Sequence, residues 1–281
     1  MKILSWNILA NEFIKKRYYP MIPPDILINR KNRQKQIIIT LRQTNADVML
    51  LQEVMQSEYN LLVHYFGKTH HIIRGKYISW QNKRSSSGNV TLLRKQSFGL
   101  PANFLINLKF GLIVQCYLKS GSSTQPIIII NVHLDDISHA NRIDEIKELE
   151  PNINSIPNVI LGGDFNEIYK ADSTLYKSIK SMGLKIFNNN PSYYVERPMC
   201  IDNIMLKGPI AKNKSSVILN VSGTDIVSQY LTYGSDHLPV VVIKYNLVPF
   251  FMRFAFACFA FACFAALFAR FASTSRPGTR A

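Results

Sequence analysis

Five short polar signatures stand in order along the chain: Ser5-Trp6-Asn7, Gln52-Glu53, Asn131-Val132-His133-Leu134, Gly163-Asp164-Phe165-Asn166 and Ser235-Asp236-His237. Each follows or flanks an apolar run, so carboxylates, amides and imidazoles from distant segments could meet at one end of a rigid sheet. Metal-dependent hydrolysis of a phosphodiester needs such a set. Glu53 ends an apolar run, which lets its carboxylate emerge at a sheet edge, and a hard cation such as Mg²⁺ prefers oxygen ligands. Asn7 supplies an amide that can touch phosphate or the metal without adding charge. Asp164 and Asn166, two apart in an extended segment, project to one side and can address the same phosphorus. Gly162 and Gly163 would let the backbone approach substrate closely. Taken singly, each has a plainer reading: a surface acid, a strand-end cap, an Asp-x-Asn turn, glycines before a bend.

The elements that must position these groups are legible as hydrophobic periodicity. Residues 2–9 read as a buried strand, 29–45 as an amphipathic helix with Ile37, Ile38 and Leu41 at helical spacing, and 47–51 as a second strand. A helix is expected over 58–66, a polar turn over 83–89 and a strand over 90–93. Strand patterns recur at 112–118, 126–134, 158–163, 201–206, 217–221 and 239–245, with helical stretches at 139–150 and 172–182. That is too many strands for one doubly wound sheet. Two packed sheets flanked by helices fit best.

The chain of 281 residues carries 33 Lys plus Arg against 18 Asp plus Glu, a formal charge of +15. Such an excess favours a polyanionic partner, nucleic acid or an anionic membrane, with a generally basic proteome as the bland alternative. Four arginines lie beyond residue 248, so the bias belongs to the body of the chain. Cys116, Cys200, Cys258 and Cys263 lack C-x-x-C spacing, which argues against a zinc site or a disulfide framework and for an intracellular, cytoplasmic setting. Lys2 and the polar Asn7 do not make a secretion signal. Two domains are expected, a catalytic body over 1–247 and an apolar tail over 248–281. Within the tail, 254–269 are sixteen consecutive Phe, Ala, Cys and Leu residues. A spanning helix wants about 20 apolar residues. The tail is therefore read either as a membrane anchor, with membrane contact through 248–269, or as a low-complexity accretion.

In order, Trp6-Asn7-Ile8-Leu9-Ala10, Tyr18-Tyr19-Pro20, Asn32-Arg33, the run from Ala46 to Val54, Gly88-Asn89-Val90-Thr91, Asn131-Val132-His133-Leu134, Gly163-Asp164-Phe165-Asn166, Ile201-Asp202-Asn203-Ile204 and Ser235-Asp236-His237-Leu238-Pro239 resemble the endonuclease/exonuclease/phosphatase superfamily. Within it they look most like the branch of the deadenylases, nocturnin and the Angel proteins. The resemblance covers residues 2 to about 245. It implies a four-layer α/β sandwich, two mixed β-sheets packed face to face with helices outside, and hydrolysis that depends on Mg²⁺, with Mn²⁺ as a substitute. By the same resemblance Glu53, with Asn7 and Asp236, would hold the metal. Asp164 would orient and deprotonate the attacking water, Asn166 would hold it or stabilise the charge that develops, and His237 would contact the scissile phosphate. Asp202 would hold the His237 ring, and His133 would assist the leaving oxygen.

Substrate selection rests on fewer residues. Arg84 and Lys83 in a Ser/Gly loop, with Asn89 beyond, could grip phosphates, a solvated turn being the alternative. Tyr193 and Tyr194 could stack a base or lie in the core. The deadenylase branch carries tyrosine where this chain has Asn203. The resemblance implies a nucleic-acid substrate, with RNA favoured and cleavage from the 3′ end. DNA-repair phosphodiesterases and phosphoinositide or sphingolipid phosphoesterases share the motifs, and a non-catalytic nucleic-acid-binding module is the alternative from a different class.

Overall fold

In the computed structural model the described residues are 1–80, 83–119, 126–195, 197–212, 214–218 and 226–244, with backbone alone at 76–80, 83–86, 214–218 and 244. The expectations for the tail and for the Lys83 and Arg84 side chains fall outside them. In chain order the elements are β1 (Lys2–Asn7), α1 (Pro24–Leu27), α2 (Arg30–Thr44), β2 (Val48–Met55), α3 (Gln56–Phe66), β3 (His70–Trp80), β4 (Lys83–Arg94), β5 (Phe98–Gly99), β6 (Leu105–Asn107), β7 (Gly111–Leu118), β8 (Pro126–His133), α4 (His139–Asn154), β9 (Asn158–Asp164), α5 (Thr174–Ser181), β10 (Lys185–Ile186), β11 (Asp202–Lys207), β12 (Lys214–Ile218), α6 (Ile226–Tyr233) and β13 (Val240–Lys244). One sheet has the order β12-β13-β1-β2-β4-β3. The other runs β10-β11-β9-β8-β7-β5, with β6 on β7.

Period-two alternation of side chains builds the layers. On one face of the first sheet Leu4, Trp6, Met49 and Leu51 pack against Ile37 and Leu41 of α2 and Leu62 and Phe66 of α3. On its other face Ile3, Val48 and Leu50 meet Ile127, Ile129, Ile160 and Ile204 of the second sheet. The outer face of that second sheet, with Ile128, Ile130, Val159 and Leu161, is covered by Ile146 and Leu149 of α4 and Leu175 and Ile179 of α5. The four-layer sandwich is as expected, and Met1–Lys244 form one compact unit. Helix α2 begins where the Asn29 side chain accepts from Asn32 N at 3.1 Å and stops at Asn45, whose left-handed φ of +48° ends the helix.

The segment 83–89 departs from expectation. Its Ser/Gly-rich composition reads as a turn, but its backbone pairs with β3 across a register shift, Ser79 opposite Arg84 and Tyr77 opposite Gly88, so β4 runs on through it. Ladder pairing overrides local propensity there. Among the described residues no helix is long and apolar enough to cross a membrane.

The strand directions bring the five signatures together. β1 is parallel to β2, and β8 to β9, while β13 runs antiparallel to β1 and β11 to β9. The C-terminal ends of the four parallel strands and the N-terminal ends of β11 and β13 therefore share one edge. In register, His133 lies beside Asp164 and Asp164 beside Asp202.

Candidate active site

Asn7, His133, Asp164 and Asp202 occupy the parity of their strands that faces the opposite sheet, the same parity as Ile3, Ile129, Ile160 and Ile204. The site is thus the polar end of the inter-sheet core. Between it and the apolar interior lies a buried polar rung. Gln52 Nε2 donates to Asn131 Oδ1 at 2.8 Å, and Asn131 Nδ2 donates to Leu51 O and Val90 O, each at 3.1 Å. Unpaired amides there would cost about 1–3 kcal/mol each.

Glu53 reaches this edge by a departure from regular alternation. It does not end its strand. The β2–β4 register shifts between Leu51 and Val54, and Glu53 adopts a left-handed φ of +57°. This bulge returns Val54 to the helix side and turns the Glu53 carboxylate towards the cleft. A non-glycine residue in that conformation carries roughly 1–3 kcal/mol of strain. Leu9 and Asn166, both at the site, share it with φ of +57° and +49°. The Glu53 carboxylate accepts from Asn7 Nδ2 at 2.8 Å and from Ala10 N at 2.7 Å. Burial, aided by the Asp236 charge, nevertheless holds it above the usual carboxylate range against the opposing pull of His133 and these two bonds.

Asp164 is the hub. Its Oδ2 accepts from Asn7 Nδ2 at 3.1 Å and lies 3.7 Å from Nε2 of both His133 and His237. Its Oδ1 accepts from the backbone N of Asn166 at 2.9 Å. Asp164 and Asn166 are therefore brought together by a tight left-handed turn rather than by strand alternation. The Asn166 amide donates to Leu134 O at 2.9 Å and ties that turn to the end of β8.

His237 Nδ1 donates to Asp202 Oδ2 at 2.8 Å, and both side chains are buried. Burial alone would disfavour the imidazolium. The charges of Asp202, Asp236 and Asp164, together with the hydrogen bond to Asp202, outweigh it and raise the ring well above the usual histidine range. Trp6 Nε1 donates to His237 O at 2.9 Å, and Ser235 Oγ donates to Asn7 O at 2.7 Å, joining this loop to β1.

Several expected residues take other roles. The Asn7 amide oxygen accepts from Leu9 N at 3.0 Å, so its Nδ2, not its oxygen, faces the carboxylates. It clamps Glu53 to Asp164 rather than presenting an oxygen ligand to a metal. Asn89 is 2% exposed and donates to Asn131 O at 3.1 Å, behind the cleft rather than in its wall. Tyr194 packs against the helix-side cluster of the first sheet. Tyr193 lines the cleft instead, its ring centroid 4.9 Å from that of His237. Gly162 and Gly163 answer to packing, not substrate. A Cβ at Gly162 would meet Leu50 at 2.7 Å, and one at Gly163 would meet Val132 O at 1.9 Å. Asn203 is buried and exchanges hydrogen bonds with the Asn188 backbone at 2.8 and 3.0 Å.

Two groups that stand in the quoted motifs but had no role assigned to them complete the site. Buried Tyr19 donates to Asp236 Oδ2 at 2.9 Å. Arg33 on α2, 3% exposed, donates to Ile8 O and Leu9 O at 2.8 Å, to Gly234 O at 3.3 Å and to Asn11 Oδ1 at 2.6 Å, with Glu58 Oε1 at 3.4 Å. It bolts together the loops that carry Asn7 and Asp236. Its signal in sequence is a charge four residues before Ile37 and eight before Leu41, on the apolar face of the helix.

The donor set fits a hard divalent cation. Glu53, Asp164 and Asp236 face one cleft, and Asp236 Oδ1 is buried with no hydrogen-bond partner among the described residues. Asp164, Asp202 and His237 also bring ligand atoms within 4.8 Å of one another. There, however, Asp202 Oδ2 is bound to the ring and Asp202 is absent from the cleft wall, which favours Glu53 and Asp236, both on that wall, as the carboxylates to hold a cation. The cleft encloses about 1340 Å³ and adds Lys15, Arg17, Tyr18, Arg142 and Lys170 to its walls.

The probable CCR4-Not complex 3′-5′-exoribonuclease subunit Ccr4 of Vairimorpha ceranae is 25% identical over 215 residues, 62% of this chain and 43% of that protein, so the chain spans less than half the length of that relative. Among solved structures, ANGEL2, a 2′,3′-cyclic phosphatase, in complex with adenosine-2′,3′-vanadate superposes with a TM-score of 0.66 at 15% identity, covering 87% of this chain and 96% of that one. The endonuclease/exonuclease/phosphatase from Bacteroides vulgatus gives 0.64 at 15% identity, with 87% and 98% covered. Truncated Caenorhabditis elegans TDP2 gives 0.59 at 17% identity, with 86% and 95% covered. At such identities these structures share the fold. A sequence profile matches residues 4–237, from within β1 to the histidine of the last signature, and by that match the chain belongs to the Endonuclease/Exonuclease/phosphatase family of hydrolytic enzymes.

Proposed function

We propose that the chain is a Mg²⁺-dependent phosphodiesterase that cleaves RNA from the 3′ end, with Mn²⁺ able to replace Mg²⁺. The observation that carries the chemistry is the placement of one carboxylate oxygen, Asp164 Oδ2, 3.7 Å from two imidazoles beside further open carboxylates. Asp164 takes the proton of the attacking water, its orientation set by Asn7 and by the backbone of Asn166. His237, held charged by Asp202, faces the phosphoryl oxygens where negative charge builds up. His133 stands on the other side of Asp164 and serves the leaving oxygen. Glu53 and Asp236 would hold the cation, which when bound supplies Lewis-acid polarisation and charge neutralisation. The RNA assignment is supported by the exoribonuclease relative and by the basic, aromatic walls of the cleft.

The test is a panel with Mg²⁺ or Mn²⁺: oligoadenylate, RNA ending in a 2′,3′-cyclic phosphate, abasic duplex DNA, 5′-tyrosyl DNA and phosphoinositide. Shortening of oligoadenylate from its 3′ end is expected. Preferential turnover of a DNA or lipid substrate would overturn the RNA assignment. Asp164→Asn should abolish turnover with the fold intact, and near-normal activity in that variant would sink the mechanism.

A further inference from the structure

The segment 15–20 carries three consecutive cations, and the fold uses them differently. Lys16 is turned inward, its Nζ donating to Pro20 O at 3.0 Å and Ile22 O at 2.6 Å. Tyr18 N and Tyr19 N bond back to Lys15 O and Lys16 O at 2.8 and 3.2 Å, and the Tyr19 hydroxyl anchors the turn on Asp236. Tyr19 is 5% exposed, whereas its neighbour Tyr18 is 45% exposed on the cleft wall. Lys15 and Arg17, also on that wall, make no ion pair with a carboxylate among the described residues. Both stand against the Tyr18 ring, with Arg17 Cζ 4.7 Å and Lys15 Nζ 5.9 Å from its centroid. A lone exposed tyrosine is ordinary. One held on a hydrogen-bonded turn beside two cations, with Arg17 Nη2 donating to its hydroxyl at 2.8 Å, in the wall of a phosphate-cleaving cleft, has the composition of a single-strand nucleic-acid platform. The cleft volume of about 1340 Å³ also exceeds the ~300–1,000 Å³ that suffices for a small ligand.

We infer that Lys15, Arg17 and Tyr18 form a subsite for a nucleotide flanking the one that is cleaved, with Tyr18 stacking its base and the two cations pairing with its phosphate. The inference rests on the reading of the substrate as a polynucleotide. The turn is preorganised by Lys16, Pro20 and the Tyr19 bond to Asp236, so little ordering is lost when a base docks. The subsite makes affinity grow with strand length.

The test uses the full chain with 5′-fluorescein di- and deca-adenylate. Binding is followed by anisotropy without divalent cation, and KM by turnover with Mg²⁺. In wild type the decamer should bind more tightly than the dimer. Tyr18→Ala should reduce that ratio about tenfold, and Tyr18→Phe should restore it. Arg17→Gln should lower the slope of log affinity against log salt by about 0.7, the loss of one phosphate contact on a single strand. A length ratio unchanged in Tyr18→Ala, with wild type favouring the decamer, would overturn the subsite and leave the polynucleotide reading standing. If wild type neither bound nor cleaved either oligonucleotide, that reading would have failed and the subsite with it.

Discussion

Replacing Arg33 by Met removes the guanidinium that joins two loops of the site to α2. Ile8 O, Leu9 O and Gly234 O would lose the Arg33 donor in a buried place, and Glu58, 3% exposed, would lose its buried counter-charge and keep, among the described residues, only the half-exposed Arg30 at 3.9 Å. Glu58 keeps bonds from Ser57 Oγ at 2.6 Å and Gln34 Nε2 at 2.8 Å, so it is weakened rather than orphaned. Breaking a buried pair from one side costs about 3–5 kcal/mol, roughly a fifth or more of a typical ~5–15 kcal/mol stability. At roughly 2–4 °C per kcal/mol for a domain of this size, Tm should fall on the order of 10 °C. Arg33→Lys, which keeps the charge but not the fork, should lie between. The assay is urea and thermal unfolding followed by tryptophan fluorescence in a Trp80→Phe background, where the signal is that of Trp6, which is hydrogen-bonded to His237 O and so reports on the site itself. Adding Glu58→Gln to Arg33→Met should recover about 1 kcal/mol or more, because a buried carboxylate left with the half-exposed Arg30 as its counter-charge is gone. The pH dependence has a defined sign. Burial pushes the Glu58 carboxyl up, but its bonds from Ser57 and Gln34 and the Arg33 charge together hold it below the usual range. Its stabilisation is therefore present above the unfolded value of about 4.3 and lost as pH falls through the lower folded value. Removing Arg33 should move acid unfolding to higher pH. A loss under about 1 kcal/mol for Arg33→Met, or no gain from the second substitution, would refute the bolt.

Asp202→Asn should lower kcat roughly 10²–10⁴-fold with little change in KM and an intact fold, because the ring loses the group that orients and charges it. Steady-state kinetics decide this, and wild-type kcat would rule out the positioning role. Glu53, its carboxyl raised by burial, should cost the metal-free protein stability as pH rises through that raised value. Glu53→Gln should therefore raise the metal-free Tm near neutrality while abolishing the Tm response to Mn²⁺. In wild type Mn²⁺ affinity should weaken on the acid side, with proton release measured by calorimetry in two buffers. Gly163→Ala would place a Cβ 1.9 Å from Val132 O at φ +154° and should cost on the order of 3 kcal/mol, read from the urea midpoint.

Much of the architecture was legible because the strands are long alternating runs whose two faces are both buried. Ile3, Leu4, Val48, Met49, Ile129 and Ile130 each fall on the layer that their parity requires. The β3–β4 pairing was not legible, since Ser85-Ser86-Ser87-Gly88 has loop composition and becomes strand only through its partner. Asp164, His237, His133 and Glu53 could be named because their signatures stand together in the order of the family that the chain resembles, although each alone has a plainer reading. Tyr19 and Arg33 could not, because their roles exist only through partners 217 and 201 residues away, Asp236 and Gly234. Of the adjacent pair Tyr193 and Tyr194, composition could not say which faces the cleft.

By itself the sequence determined which groups are available for chemistry at phosphorus and the order in which strands deliver them, because hydrophobic period and polar strand ends are local properties. Tertiary structure decided how those groups meet. The bulge that turns Glu53 into the cleft depends on its register with β4. The charge on His237 depends on the Asp202 carboxylate that another strand brings beside it, against the opposing effect of burial, and the clamp between Asn7, Glu53 and Asp164 depends on three strand ends drawn together by a common core. Hydrogen bonds and charges act over a few ångströms, and only the packed sheets set which distant residues come that close.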